Sequence, residues 1–68
     1  MDYKLLGYST GKRLGRSNRT MRRKMDSLQV RLTATSQARK LKLDDDAVRE
    51  EYVEAFQQGY WDANLLTQ

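Results

Sequence analysis

Neither cysteine nor histidine occurs anywhere in this chain of 68 residues. That absence removes the usual staples of a small fold, because no disulfide can close a loop and no Cys/His set can hold a structural zinc. A chain of this length buries only about 60% of the surface that its unfolded state exposes. Its order must therefore come from one small apolar core, which predicts a single domain over residues 1–68. The same absence excludes Ser-His-Asp catalysis and imidazole acid–base chemistry near neutral pH. With too little chain to frame a deep cleft, the expectation is a binding protein and not an enzyme, with no cofactor and no metal. Proline is absent as well, so no helix meets a proline break.

Charge is laid out in two blocks. Residues 1–43 hold twelve Lys and Arg against two acids, and residues 44–68 hold one base, Arg49, against seven acids. The densest part is residues 12–24, with seven bases and no acid. Unpaired, such a stretch repels itself, and a polyanion relieves the repulsion while releasing its own counterions. The competing reading folds the basic half against the acidic half. No apolar run approaches the roughly 20 residues that span a bilayer. Nothing after Met1 reads as the apolar region of a secretory signal. Together these predict a cytoplasmic protein with no membrane partner.

The hydrophobic spacing predicts a mainly α protein. Ser17 or Asn18 is a good N-cap type, and Met21, Met25, Leu28 and Leu32 follow as one stripe of a helix. From residue 28 a second reading competes. Leu28, Val30, Leu32 and Ala34 alternate with polar residues, and so do residues 40–43, so that 28–34 and 39–43 would pair as a short β-hairpin. The alternative is helix through to about Leu43, which Ala34, Gln37, Ala38, Arg39 and Lys40 favour. The clearest element is an amphipathic C-terminal helix over 46–58. It is capped by the acids at 44–46 and faced by Val48, Tyr52, Ala55, Phe56 and Tyr60. Gly59 is expected to end it in a left-handed cap, folding Tyr60 and Trp61 back. Tyr3, Leu5, Leu6 and Tyr8 read as a short strand or half-turn, and Thr67 and Gln68 as a frayed tail.

Two motifs are set aside on spacing. Gly7 and Gly11 before Lys12 and Arg13 lack the four intervening residues and the Ser/Thr of a phosphate-binding loop. The consecutive acids at 44–46, with Glu50 and Glu51, lack the alternate ligands and glycine of a calcium loop. The most informative stretch is residues 10–28, TGKRLGRSNRTMRRKMDSL. Gly11 is a small residue where two helices approach, Leu14 an apolar position before a turn, and Gly15 a turn glycine. Ser17 and Asn18 would begin a second helix, with Thr20, Met21 and Met25 in its polar and core places. This stretch resembles the helix-turn-helix of Fis-like and small phage regulators. The resemblance implies a first helix over 8–14 and a recognition helix over 17–28. A fainter likeness, in Gln29, Arg31 and Thr33, is to the strand of ribbon-helix-helix proteins.

The resulting expectation is a small basic nucleic-acid-binding protein, a DNA-binding regulator using an Arg-rich helix. Asn18, Arg19, Arg22 and Arg23 would touch bases or phosphates, and Lys12, Arg13, Arg16 and Lys24 would hold the backbone. Tyr52, Phe56, Tyr60 and Trp61 would be a protein interface, including that of a homodimer. The runner-up is a phage-type host-takeover protein that binds and inhibits a host protein machine. RNA or ribosome binding is a third reading, since Arg-rich helices also bind RNA.

Overall fold

A computed structural model describes residues 2–65. It holds three helices: α1 over Tyr3–Thr20, α2 over Ser27–Lys40 and α3 over Asp46–Leu65. The mainly α expectation stands. The frayed tail expected at Thr67 and Gln68 lies outside the described residues.

Each helix begins where a carboxylate can satisfy free N–H groups. Asp2 accepts from the N–H of Lys4 at 3.1 Å and of Leu5 at 3.2 Å, which starts a helix in place of the expected strand or half-turn. Asp26 accepts from the N–H of Gln29 at 2.8 Å, and the Gln29 side chain accepts from the Asp26 N–H at 3.1 Å, closing a capping box. Asp45 accepts from the N–H of Ala47 at 2.8 Å. The ends of α1 and α2 share one device. Arg22 and Lys42 take left-handed backbone, with φ of 56° and 57°. The N–H of Arg23 donates to the Asn18 carbonyl at 2.7 Å, and that of Leu43 to the Ala38 carbonyl at 3.3 Å. These are Schellman closures with a basic residue where glycine is usual.

The capping box decides the 28–43 region for helix. The β-hairpin is not formed, and no strand occurs among the described residues. The alternation that suggests one is misleading, because Val30, Ala34 and Ala38 form the buried stripe while Leu28 and Leu32 are 64% and 59% exposed. The predicted stripe of Met21, Met25, Leu28 and Leu32 is likewise not a core face, since Met21 is exposed too and only Met25 is half-buried.

α1 and α3 run parallel, in step. An added Cβ at Gly7 would lie 2.6 Å from the Tyr52 carbonyl oxygen, while Cβ atoms at Gly11 and Gly15 would run into the carbonyls of Phe56 and Tyr60. Gly59 does the same in reverse against the Tyr8 carbonyl. Backbone therefore lies on backbone over two turns. This explains two departures from expectation. α1 continues through Gly15 instead of turning there, so residues 8–14 and 17–28 do not form separate helices. α3 continues through Gly59, whose φ is not positive. In both helices the glycine is a place of close approach, not a break.

α2 runs back in the opposite direction, packs on α3 and closes the core: Val30, Ala34, Ala38 and Leu43 meet Tyr52, Val53, Phe56 and Tyr60. No helix of the described residues is long and apolar enough to cross a membrane.

Candidate nucleic-acid interface

The parallel pairing of α1 with α3 fixes which charges share an end. Gly15 lies against Tyr60, and the Arg19 Nη1 donates to the Ala63 carbonyl at 2.8 Å. The C-termini of α1 and α3 and the start of α2 thus form one end of a molecule 36 Å long. Arg16 stands exposed one turn from the end of α1, Arg13 stands exposed about 10 Å from that end beside Thr33 and Gln37 of α2, and Arg22, Arg23 and Lys24 stand exposed on the connection 21–26. The C-terminal dipole of α1 favours the cations closest to its end and not Arg13. The left-handed turn at Arg22 carries the next two off the helix axis.

The acids at 44–46 sit at the opposite end. From Asp46 to Ala63 is about 25 Å of helix, about three Debye lengths at physiological salt. The one ion pair among the described residues, Arg49 with Asp46, is at that far end. Nearer carboxylates are already engaged. Asp26 caps α2, and Asp62 accepts from the Tyr8 hydroxyl at 2.7 Å and from the Gln58 amide at 2.9 Å. The hydrogen bond to Asp62, with smaller contributions from burial and from that carboxylate's charge, holds the Tyr8 phenol above its ordinary value of 10.0.

Three expected contact residues are placed differently. Asn18 is 2% exposed. Its Nδ2 donates to the Tyr60 hydroxyl at 3.0 Å and to the Met25 sulfur at 2.9 Å, so it locks the α1–α3 contact and offers nothing to a base. Arg19 is half-buried, with its guanidinium on the end of α3. Lys12 is half-buried, its Nζ 5.9 Å from the centre of the Tyr8 ring. The protein-interface expectation also changes, because Tyr52, Phe56 and Tyr60 are buried within the chain's own core. A core this small has few other large side chains to fill it. Trp61 is half-buried, edge-on to Tyr60 at 4.9 Å between ring centres.

Two features of the sequence acquire meaning only in the fold. Gly7, Gly11 and Gly15 recur every fourth residue, as do Ala55, Gly59 and Ala63, which is the spacing of a close helix pair. Arg31, Thr35 and Arg39 recur in the same way and line one flank of α2.

No family model, curated protein or solved structure matches the chain.

Proposed function

We propose that this is a small nucleic-acid-binding protein, a DNA-directed regulator, that grips the phosphate backbone with Arg13, Arg16, Arg22, Arg23 and Lys24. One observation supports this reading above the others: these five side chains are exposed, four of them near one end with Arg13 about two turns further back on α1, and none joins an ion pair among the described residues. Cations gathered this way repel one another until an anion arrives. Guanidinium forks suit phosphate oxygens. The end of α1 and the connection supply positioning contacts, which carry affinity more than sequence preference.

Five phosphate contacts on B-form DNA correspond to a log–log salt slope of about −4.5. Raising salt from 50 to 200 mM should then weaken binding by about 500-fold on the same relation. An electrophoretic shift series with duplex DNA, single strands and structured RNA at those two salt concentrations tests this. Arg22→Ala with Arg23→Ala should weaken binding and flatten its salt dependence. Tighter binding to the RNA than to the duplex would redirect the proposal from DNA to RNA. Absence of binding to any of the three at low salt, or unchanged affinity in the double variant, overturns it.

A further inference from the structure

A second group of arginines lies away from the basic end. Arg31, Thr35 and Arg39 succeed one another on the flank of α2 that faces α3. With Arg49, Glu50 and Val53 of α3 they line a polar cleft of about 320 Å³. Arg49 is anchored there: its Nη1 donates to the Leu43 carbonyl at 3.4 Å and its Nη2 pairs with Asp46. Arg31 and Arg39 are exposed, and neither joins an ion pair among the described residues. The Thr35 hydroxyl donates to the Arg31 carbonyl at 2.9 Å, so its proton is committed. The cleft therefore presents guanidinium donors with a single carboxylate, Glu50, at its wall.

The cleft begins near the basic end, because Arg31 lies about 6 Å along the axis from the start of α2 at Ser27. An open hollow of about 470 Å³, lined by Arg23, Lys24, Met25, Gln29, Leu32 and Thr33, leads from the connection onto α2. Leu32 and Arg31 face different sides of α2, so the hollow and the cleft flank the helix separately. Arg31 and Arg39 are two helical turns apart, about 12 Å along the axis, which suits successive groups of an extended polyanion better than one small anion. A cleft with two guanidiniums outside any ion pair among the described residues, those of Arg31 and Arg39, gains from an anion placed there.

We infer that the α2–α3 cleft is a second phosphate-binding site. Arg31 and Arg39 take phosphodiester oxygens further along a strand whose backbone is already held at the connection. This rests on the nucleic-acid reading above and extends its footprint from one end of the molecule along the α3-facing flank of α2. Glu50 opposes the site, so the charge it carries limits affinity.

The test is fluorescence anisotropy of labelled duplex DNA and of an RNA hairpin, titrated with the full chain over a salt series. The variants are Arg31→Gln/Arg39→Gln, Arg22→Gln/Arg23→Gln, the four together, and Glu50→Gln. Circular dichroism confirms that each is folded, as expected for exposed positions. Each phosphate that a variant no longer neutralises takes about 0.9 from the slope, so each pair should flatten it on duplex DNA by about 1.8, and the four together by about 3.6. Glu50→Gln should tighten binding, which a purely structural role for the cleft would not produce. Flattening on one polymer alone names that polymer as the source of the phosphodiester. A wild-type slope in Arg31→Gln/Arg39→Gln, with flattening in Arg22→Gln/Arg23→Gln, overturns the second site and leaves the basic end standing. A wild-type slope in both pairs overturns both.

Discussion

The two sides of α3 are packed on different principles. Towards α1 it meets backbone: Gly7, Gly11 and Gly15 have no side chain to hold the helices apart, and the carbonyls of Tyr52, Phe56 and Tyr60 fill the space. Towards α2 it meets a thin row of side chains, Val30, Ala34 and Ala38, while Leu28 and Leu32 on the outer side of that helix stay in solvent. The first contact tolerates no added atom. The second leaves a whole face of α2 without structural duty. A chain too short for a large core has made α1 and α3 into one rigid unit and kept α2 as the element with a surface to spare. Both groups of free cations lie on that division, at the end of α1 and along α2.

The sharpest way to break this contrast is one methyl group. Alanine is a better helix former than glycine by about 1 kcal/mol, so in an unconstrained helix Gly11→Ala would stabilise. Here the new Cβ meets the Phe56 backbone, which cannot rotate aside. Overpacking of a core costs about 1–3 kcal/mol, and with backbone on both sides the top of that range less the propensity gain leaves an expected net loss of about 2 kcal/mol. That is a large fraction of the total stability of so small a domain. The contrasting variant, Leu32→Ser on the outer face of α2, should lie within about 0.5 kcal/mol of wild type. Urea denaturation of the two decides it. A rise in the midpoint of Gly11→Ala, or a large loss in Leu32→Ser, would reverse the assignment of the two faces.

The same glycines mark how far the sequence alone is legible. The acids at 44–46 before an apolar repeat locate the start of α3, because capping is local chemistry between neighbours. Glycine is ambiguous. Its missing side chain serves a turn, a cap or a close approach equally well, and only the partner helix distinguishes them. Gly15 and Gly59 therefore read as breaks in the sequence, although both helices run on through them. Leu28 and Leu32 mislead for a related reason. Leucine at helical spacing usually marks the buried side, yet the side of α2 that meets α3 is the stripe of Val30, Ala34 and Ala38, and Leu28 and Leu32 lie off it. The exposed arginines at 22 and 23 are legible because nothing long-range determines a free charge. The fates of Asn18 and Arg19 are not, since their partners Tyr60 and Ala63 stand more than forty residues away.

A smaller effect separates what the turns do for the fold from what their charges do for binding. Arg22 and Lys42 occupy the same left-handed position at the ends of α1 and α2. A side chain there costs roughly 1 kcal/mol relative to glycine. Both Arg22→Gly and Lys42→Gly should stabilise by up to about 1 kcal/mol, raising Tm by up to about 4–8 °C for a domain of this size. They should part company in binding. Arg22→Gly removes a cation from the proposed phosphate grip and should weaken DNA binding, while Lys42→Gly at the other end should leave it near wild type. Equal affinities for the two variants, with equal gains in Tm, would mean that the basic end contributes no more than any other lysine or arginine on the surface.

The smallest expected effect tests the flank of the α1–α3 contact, where side chains and not backbone make the link. The Tyr8 hydroxyl donates to Asp62, and Gln58 donates to the other oxygen of the same carboxylate. Lys12 lies over the Tyr8 ring, and Lys4 and Glu54 line the adjoining groove. Only the neutral phenol can donate, so the folded state favours the protonated form and the phenol titrates above 10.0. The sign follows from linkage. Stability from this bond is fully present below about pH 10, where an unfolded tyrosine begins to ionise, and is lost as pH rises through the higher folded value. Above that point a phenolate would face a carboxylate. Other lysines and tyrosines titrate in the same range, so the readout is the difference in Tm between the wild type and Tyr8→Phe. Wild type should lead at pH 8, and its lead should shrink steadily by pH 11. A difference that stays constant across that range would show that Tyr8 holds α1 to α3 by ring packing alone, and that the whole contact, flank included, depends on close fit and not on a proton.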